Sequence, residues 1–547
     1  MLLDKLRNLL DKREISVREL ADLYINRIDK YNGDLNAFLY VNKDKIGAAA
    51  AVAQARIDAG RQAPLTGIPV ALSDNICAKD MPMTCASRIL DGYRPPYDAA
   101  AVEKLRRQDA LLLGKLNIGE FGMGASTDSS YYGPSKNPFD LNYAPAGAAG
   151  GAGAAVAAGL CAAAVGADAG GAVGRSASSC GVSGFRPSFG NVSRHGLAAY
   201  ASCFDQAGVV AAGADDCAVI LDAISGRCPK DPLTSVYERG ADAAFAAGNN
   251  AGIRPSGADL KGVRIGLIRE LFGGKAGAQI SDAVYEAAKR FERAGAVVTE
   301  VSIPMLEYGA AAFMIIACAE ASANLARIDG IRYGRRSDCA GDYYEIVAKS
   351  RGEGFGPEVR RQIMFGTYAL SKDNYEKYYK KAVSIVGVIK AQYFAALQNV
   401  DLLISPAAFS AVPLQALTAV SPQALIAVSA NAPHVDADYL SSAESVADKW
   451  SVGPSLAGLP SVSAACGYLP SDGTVQSAGL TNGIPAGFTN GIPAGPLNGI
   501  PAGLTNKFSA GLPIGLTITG RRFEDYKLLD IAGADAVLPA PPVLESI

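Results

Sequence analysis

The chain has 547 residues, of which 49% are hydrophobic and 19% charged, enough for a large buried core around one sheet. Lys and Arg number 51 against 53 Asp and Glu, a net charge of −2. That balance excludes a basic face able to hold nucleic acid unaided. The ten cysteines include no Cys-x-x-Cys pair, and the only histidines are His195 and His434. A structural zinc site takes about four clustered ligands, so no metal is expected.

Residues 1–60 read as helices. Ser16-Val-Arg-Glu19 is a capping box, with Ile15 and Leu20 placed as a hydrophobic staple, and Leu20, Leu23, Tyr24 and Ile28 recur at helical spacing. No signal-peptide pattern is present. With reduced, buried thiols, a cytoplasmic location is expected. Pro69 to Leu72 is a short apolar strand that runs into Ser73-Asp-Asn75. A helix over 98–109 and a strand from Ala110 to Gly114 follow. Ala144 to Ala167 carries no charge and has the length of a membrane span. Its Ala and Gly content points instead to a buried helix of small residues against a sheet, and no membrane contact is expected. Further on come a strand from Val263 to Ile268, a helix over 281–294 and a strand from Val297 to Val301. Helices are expected around 310–328 and 371–397, and a last core strand from Gly511 to Ile518. Alternating strands and helices define an α/β chain.

Two segments repeat at a spacing of eight. Gln415-Ala-Leu-Thr-Ala-Val-Ser421 recurs from Gln423, and Asn482-Gly-Ile-Pro-Ala-Gly487 recurs from Asn490 and Asn498. Asn-Gly and Ile-Pro pairs form turns. Solenoids need longer repeats or more copies. Residues 411–447 and 471–508 are therefore expected to be loop insertions in a single domain spanning 1–547.

The stretch Ala144-Pro-Ala-Gly-Ala-Ala-Gly-Gly-Ala152, followed by Asp168-Ala-Gly-Gly-Ala172, has the glycine skeleton of a hydrolase site without its serines. It resembles the signature of the amidase signature family, Pro-Gly-Gly-Ser-Ser-Gly-Gly-Ser and Asp-Thr-Gly-Gly-Ser. Gly67-Ile-Pro-Val-Ala-Leu-Ser-Asp-Asn-Ile76 resembles the family's Gly-Ile-Pro-x-x-x-Lys-Asp-Asn-Ile. Gly114-Lys-Leu-Asn117, Arg351-Gly-Glu-Gly-Phe-Gly356 and Ala457-Gly-Leu-Pro460 match, in order, the family's glutaminase subunits of tRNA-dependent amidotransferases. The resemblance implies the family's α/β fold, a central, mostly parallel, twisted mixed sheet covered by helices on both faces.

It also implies a site. Family members use a Ser–cis-Ser–Lys triad, in which a neutral lysine draws a proton through the middle serine and the other serine attacks the amide carbonyl. The matching positions hold Ser73 for the lysine, Ala148 for the relay and Ala172 for the nucleophile. Backbone amides of Ala169, Gly170, Gly171 and Ala172 match the oxyanion hole. Asp448 falls at the place of the aspartate that holds the substrate amino group. Gln362 stands where an arginine takes the substrate carboxylate, and Phe313 stands near a substrate-side tyrosine. Gly174 and Ser176 replace an Arg and a Pro. Neither Cys180 nor His195 has the sequence neighbours of a substitute nucleophile or base.

By this resemblance the partners are the B and C subunits of an amidotransferase, with glutamine or a small amide as ligand and tRNA reached only indirectly. The chain carries no cofactor of its own; ATP and magnesium belong to the B subunit. A site stripped of its triad retains about 10³–10⁴-fold acceleration, against about 10⁶ or more for working enzymes. An inactive scaffold subunit is the leading expectation. An enzyme with a non-standard mechanism, an amide or amino-acid binding module and a decayed copy remain as alternatives.

Overall fold

The computed structural model describes residues 2–236, 260–272, 278–339, 341–408, 412–413, 451–469 and 512–533. Both repeats, Asp448 and nearly all of the two expected insertions lie outside the described residues.

The chain opens with α1 (Leu2–Asp11) and α2 (Val17–Leu35). Ser16 Oγ accepts the Glu19 N–H at 3.2 Å, and the Glu19 carboxylate accepts the Ser16 N–H at 2.9 Å, which is the expected capping box. Ile15 and Leu20 are both buried. Helices do not fill 1–60, however. Phe38–Val41 forms strand β1, which pairs antiparallel with residues 114–116, before α3 (Lys43–Asp58) begins. The aromatic and β-branched composition of β1 suits a pleated edge better than a helix.

The other strands of the main sheet are β2 (Pro69–Ser73), β3 (Leu111–Leu116), β4 (Ala163–Asp168), β5 (Ser183–Arg186), β6 (Gln206–Ala211), β7 (Arg264–Ile268), β8 (Val297–Val301), β9 (Leu402–Ala408), β10 (Ser461–Leu469) and β11 (Leu512–Thr519). They lie in the order β1-β3-β2-β4-β6-β5-β10-β11-β9-β7-β8. A short antiparallel pair of Tyr143–Ala144 with Val412–Pro413 stands apart. The main sheet is mixed, as expected, but it is not mostly parallel. Parallel pairs form two blocks, β3–β2–β4 and β9–β7–β8, and antiparallel pairs run through the centre. The connections explain this. Parallel neighbours need a crossover, supplied by α4 (Ala100–Arg107) between β2 and β3. Residues 187–205 join β5 to β6 without a helix.

The remaining helices are α5 (Gly150–Ala157), α6 (Ala172–Ser179), α7 (Ala214–Ile224), α8 (Ala278–Arg293), α9 (Gly309–Asn324), α10 (Tyr343–Gly354), α11 (Pro357–Leu370), α12 (Lys381–Asn399) and α13 (Asp525–Ala532). The uncharged stretch 144–167 divides into α5, buried at every residue, and β4. Small side chains let α5 lie close to α6 and to the sheet. Residues 304–327, which include α9, are long and apolar enough to cross a membrane, yet α9 packs against α11 and α12 with Phe313, Ile316 and Ala317 buried. The helix expected from 371 starts at Glu376, with a π-helical turn over Glu376–Lys380 that runs straight into α12; α11 ends at Leu370 and residues 371–375 turn between the two.

Candidate active site

β2 and β4 are parallel neighbours whose carboxyl ends meet the amino end of α6, the usual location of sites in such sheets. Asp168 ends β4. Its carboxylate accepts the N–H groups of Gly171 at 2.6 Å and Val173 at 3.0 Å, which bends the chain into α6. Arg186, on β5, pairs with Asp168 at 2.8 Å and donates to the carbonyls of Asp168 at 3.0 Å and Phe204 at 2.7 Å. Both charged side chains are buried, so each depends on the other and on these hydrogen bonds. Gly171 adopts φ +89°, and a Cβ there would stand 2.8 Å from Ser451 Cβ; only glycine satisfies both constraints.

Gly147, with φ +82°, packs on the first residue of α6: a Cβ on it would fall 2.6 Å from the Ala172 carbonyl oxygen and 3.1 Å from Ala172 Cα. The next residue, Ala148, lies against Gly119, whose N–H donates to the Ala148 carbonyl at 2.8 Å. Ser73 ends β2 and is fully buried. Its Oγ is 3.3 Å from where a Cβ on Gly166 of β4 would stand. Ser73, Ala148 and Ala172 therefore sit around one junction. Ser73 Oγ has no hydrogen-bond partner, and the two alanines offer neither a nucleophile nor a proton relay. There is no cis peptide bond among the described residues, Ala148 included.

A buried lysine exists nearby but faces elsewhere. Lys115 is in register with Leu72 and Leu116 with Ser73, and successive strand residues alternate faces. Lys115 Nζ donates to the Ile76 carbonyl. Burial pulls its pKa down while the Asp74 carboxylate pushes it up; burial raises Asp74 in turn. Lys115 thus serves Asp74 and the chain after β2, not the junction at Ser73.

The matched oxyanion set is reduced by one, since the Gly171 N–H is committed to Asp168. The amides of Ala169, Gly170 and Ala172 meet no acceptor among the described residues. Phe313, from α9, covers the turn: a Cβ on Gly170 would lie 2.8 Å from Phe313 Cζ. The Phe313 ring packs 5.4 Å from that of Phe204, and Ser451 Oγ donates to the Gly170 carbonyl at 3.0 Å. Gln362 is buried on α11 with both ends of its amide engaged. Tyr200 Oη donates to Oε1 at 3.0 Å, and Nε2 donates to Glu358 at 2.8 Å. Arg361 forks onto the same Glu358 at 2.8 and 2.6 Å, so it does not supply the cation that Gln362 lacks. Burial pushes the Cys180 thiol up to about 12, which disqualifies it as a nucleophile. His195 stacks on Tyr97 at 5.2 Å.

Arg186, Tyr200, Glu358 and Ser451 shape this region without having been singled out from the sequence. Only Arg186 left a signal, a charge ending the buried run Ser183–Arg186.

The model of the family described as Amidase matches residues 19–529, and the chain belongs to this family. Within it, the chain is 39% identical over 462 residues to the A subunit of a glutamyl-tRNA(Gln) amidotransferase from Ruminiclostridium cellulolyticum, covering 84% of this chain and 89% of that one. It is 37% identical over 530 residues to the same subunit of Thermoanaerobacter pseudethanolicus, covering 97% and 94%. The crystal structure of the Thermotoga maritima A subunit superposes with a TM-score of 0.67 at 29% identity, covering 96% of this chain and 95% of that one.

Proposed function

We propose that the chain is an A-type amidotransferase subunit that has lost glutaminase chemistry and works as a structural partner of the B and C subunits, which would hold the ATP, magnesium and tRNA. One observation carries this reading: the three positions that converge on the β2–β4–α6 junction present two methyl groups and one unpartnered hydroxyl. An alanine cannot form an acyl bond through its side chain, and Ser73 has no basic nitrogen to take a proton. Loss of charge at Gln362 supports the same reading, because a neutral amide cannot make the bidentate pair that a carboxylate substrate needs.

Ammonia release from glutamine, measured for the chain alone and with the B and C subunits, is expected to stay at background. Turnover comparable with an intact relative would overturn the proposal. The triple variant Ser73→Lys, Ala148→Ser, Ala172→Ser is expected to raise hydrolysis above that background.

A second reading, an amide-binding module, is favoured by the amides of Ala169, Gly170 and Ala172, which meet no acceptor among the described residues, beside an orphan Ser73 Oγ. It requires glutamine or a small amide to raise the melting temperature; no shift at millimolar ligand counts against it.

A further inference from the structure

The two edges of the main sheet are finished differently. β1 is broken by a bulge between Phe38 and Tyr40, and none of its residues is exposed. β8 runs in unbroken register with β7 from Val297 to Val301, and Val297, Thr299 and Glu300 are exposed. Edges are ordinarily blunted by proline, lysine, a bulge or a covering element. The sequence Val-Val-Thr-Glu-Val of β8 has no proline, lysine or bulge.

Its backbone is poised to pair. The Val297 N–H donates to the Val263 carbonyl at 2.8 Å. Alternate residues of a parallel strand bond to the same neighbour, so Val297, Thr299 and Val301 turn their backbone groups to β7. The groups of Val298 and Glu300 point outward, and no described residue bonds them. The end of the strand is fixed, since the Glu270 carboxylate accepts the Ile303 N–H at 2.9 Å. An edge already ordered loses little entropy on pairing.

A groove of about 480 Å³ lies between α8 and the last two strands. Leu267 and Val298 make it apolar on the sheet side, and α8 lines it with Asp282, Glu286, Lys289 and Glu292. Glu286 pairs with Lys289 at 2.6 Å. Asp282 and Glu292 have no ion pair among the described residues. Neither has Glu300, which shares the Val298 face of β8 because strand residues alternate. The other face of the strand presents Thr299, Val301 and Val297, the last 52% exposed.

We propose that β8 and this groove accept an extended segment of a partner protein as an added strand, one with Lys or Arg at alternate positions and apolar residues between them. The outward N–H and C=O groups of Val298 and Glu300 bond its backbone. Its cationic side chains lay their stems on Leu267 and Val298 and bring their heads to Asp282 and Glu292. Its apolar side chains cover Val297 and Val301. In such pairing the main chain supplies affinity and the alternate side chains supply specificity. A second copy of β8 fits less well. Antiparallel pairing about Thr299 sets both acidic grooves on one side of the joined sheet, where like charges repel. The inference concerns the sheet edge and does not depend on the loss of glutaminase chemistry.

The test is fluorescence anisotropy with a labelled peptide of about seven residues that alternates Lys and Val. Wild type is expected to bind it, and more weakly as salt rises. Two control peptides, one N-methylated throughout and one with Glu for every Lys, are expected to bind tenfold or more weakly. Val298→Pro removes an outward donor and no ladder bond. It and the double variant Asp282→Lys, Glu292→Lys are each expected to lose tenfold or more in affinity while keeping the wild-type melting temperature. Wild type that ignores the Lys–Val peptide would overturn the proposal, as would equal binding of the N-methylated peptide or equal binding by the double variant. Wild type that sediments as a dimer, with Val298→Pro a monomer, would assign the edge to a second copy and overturn it too.

Discussion

Asp168 and Arg186 illustrate how much of the site survives as structure. The aspartate holds two backbone amides of the turn and neutralises a guanidinium that is 2% exposed. Replacing one member of a buried pair strands the other, at about 3–5 kcal/mol. Asp168→Asn is therefore expected to lower urea-unfolding stability by that amount, and a loss below about 1 kcal/mol would contradict the role given to the pair. Ala172→Ser, which adds one oxygen at the start of α6, is expected to change stability by less than about 1 kcal/mol, so its effect on hydrolysis in the triple variant can be read separately from folding. The aspartate belonged to a motif visible in the sequence. Its guanidinium partner comes from a different strand, and nothing in local spacing announces a pairing that only the sheet order creates. Gln362 is similar: its type was legible, but its commitment to Tyr200 and Glu358 follows from how α11 packs.

Local elements were the most readable part of the chain, because capping and periodicity act over a few residues. Ser16→Ala removes the Oγ that accepts the Glu19 N–H, one of the two hydrogen bonds that close the capping box of α2, and is expected to destabilise the protein by about 1 kcal/mol, measured by thermal or denaturant unfolding. Elements misjudged from sequence were those decided by remote partners. β1 is a strand because β3 offers it an edge, and residues 371–375 turn because α11 and the helical run from Glu376 must both pack on α9. Remote contacts also set the acid–base behaviour. Glu120 follows β3 and accepts the Gly356 N–H, just before α11, with both oxygens at 3.0 Å. Burial lifts its carboxyl to about 7. Burial likewise lifts Asp216 of α7, which accepts the N–H groups of Leu2 and Leu3 in α1, and Asp205, each to about 6. A raised carboxyl makes the folded state bind more protons than the unfolded one. The stability tied to it is complete below about pH 4 and is lost as pH rises through 6 to 7. Denaturant unfolding between pH 5 and 8 is expected to show that decline, with up to about 3 kcal/mol from Glu120. Glu120→Gln is expected to flatten it; an unchanged slope in the variant would remove Glu120 as the cause.

At the scale of the whole molecule, the α/β class and the presence of one large mixed sheet followed from alternation and from resemblance. The balance of strand directions did not, because it depends on which connections carry a helical crossover. The hairpin of β10 and β11 has a plain consequence. Leu469 is paired with Leu512, so the chain leaves the sheet and returns to it at adjacent points, whatever lies between. Replacing 471–510 with a four-residue Asn-Gly turn shortens that closure roughly tenfold, which favours the folded state by about 2 kcal/mol. The shortened protein is expected to melt no lower than the full chain, and a fall of more than about 5 °C would show that the removed residues brace the core. Because Leu469 and Leu512 are already paired, the connection between them is expected to accept an inserted fluorescent reporter domain while the register of all eleven strands is preserved.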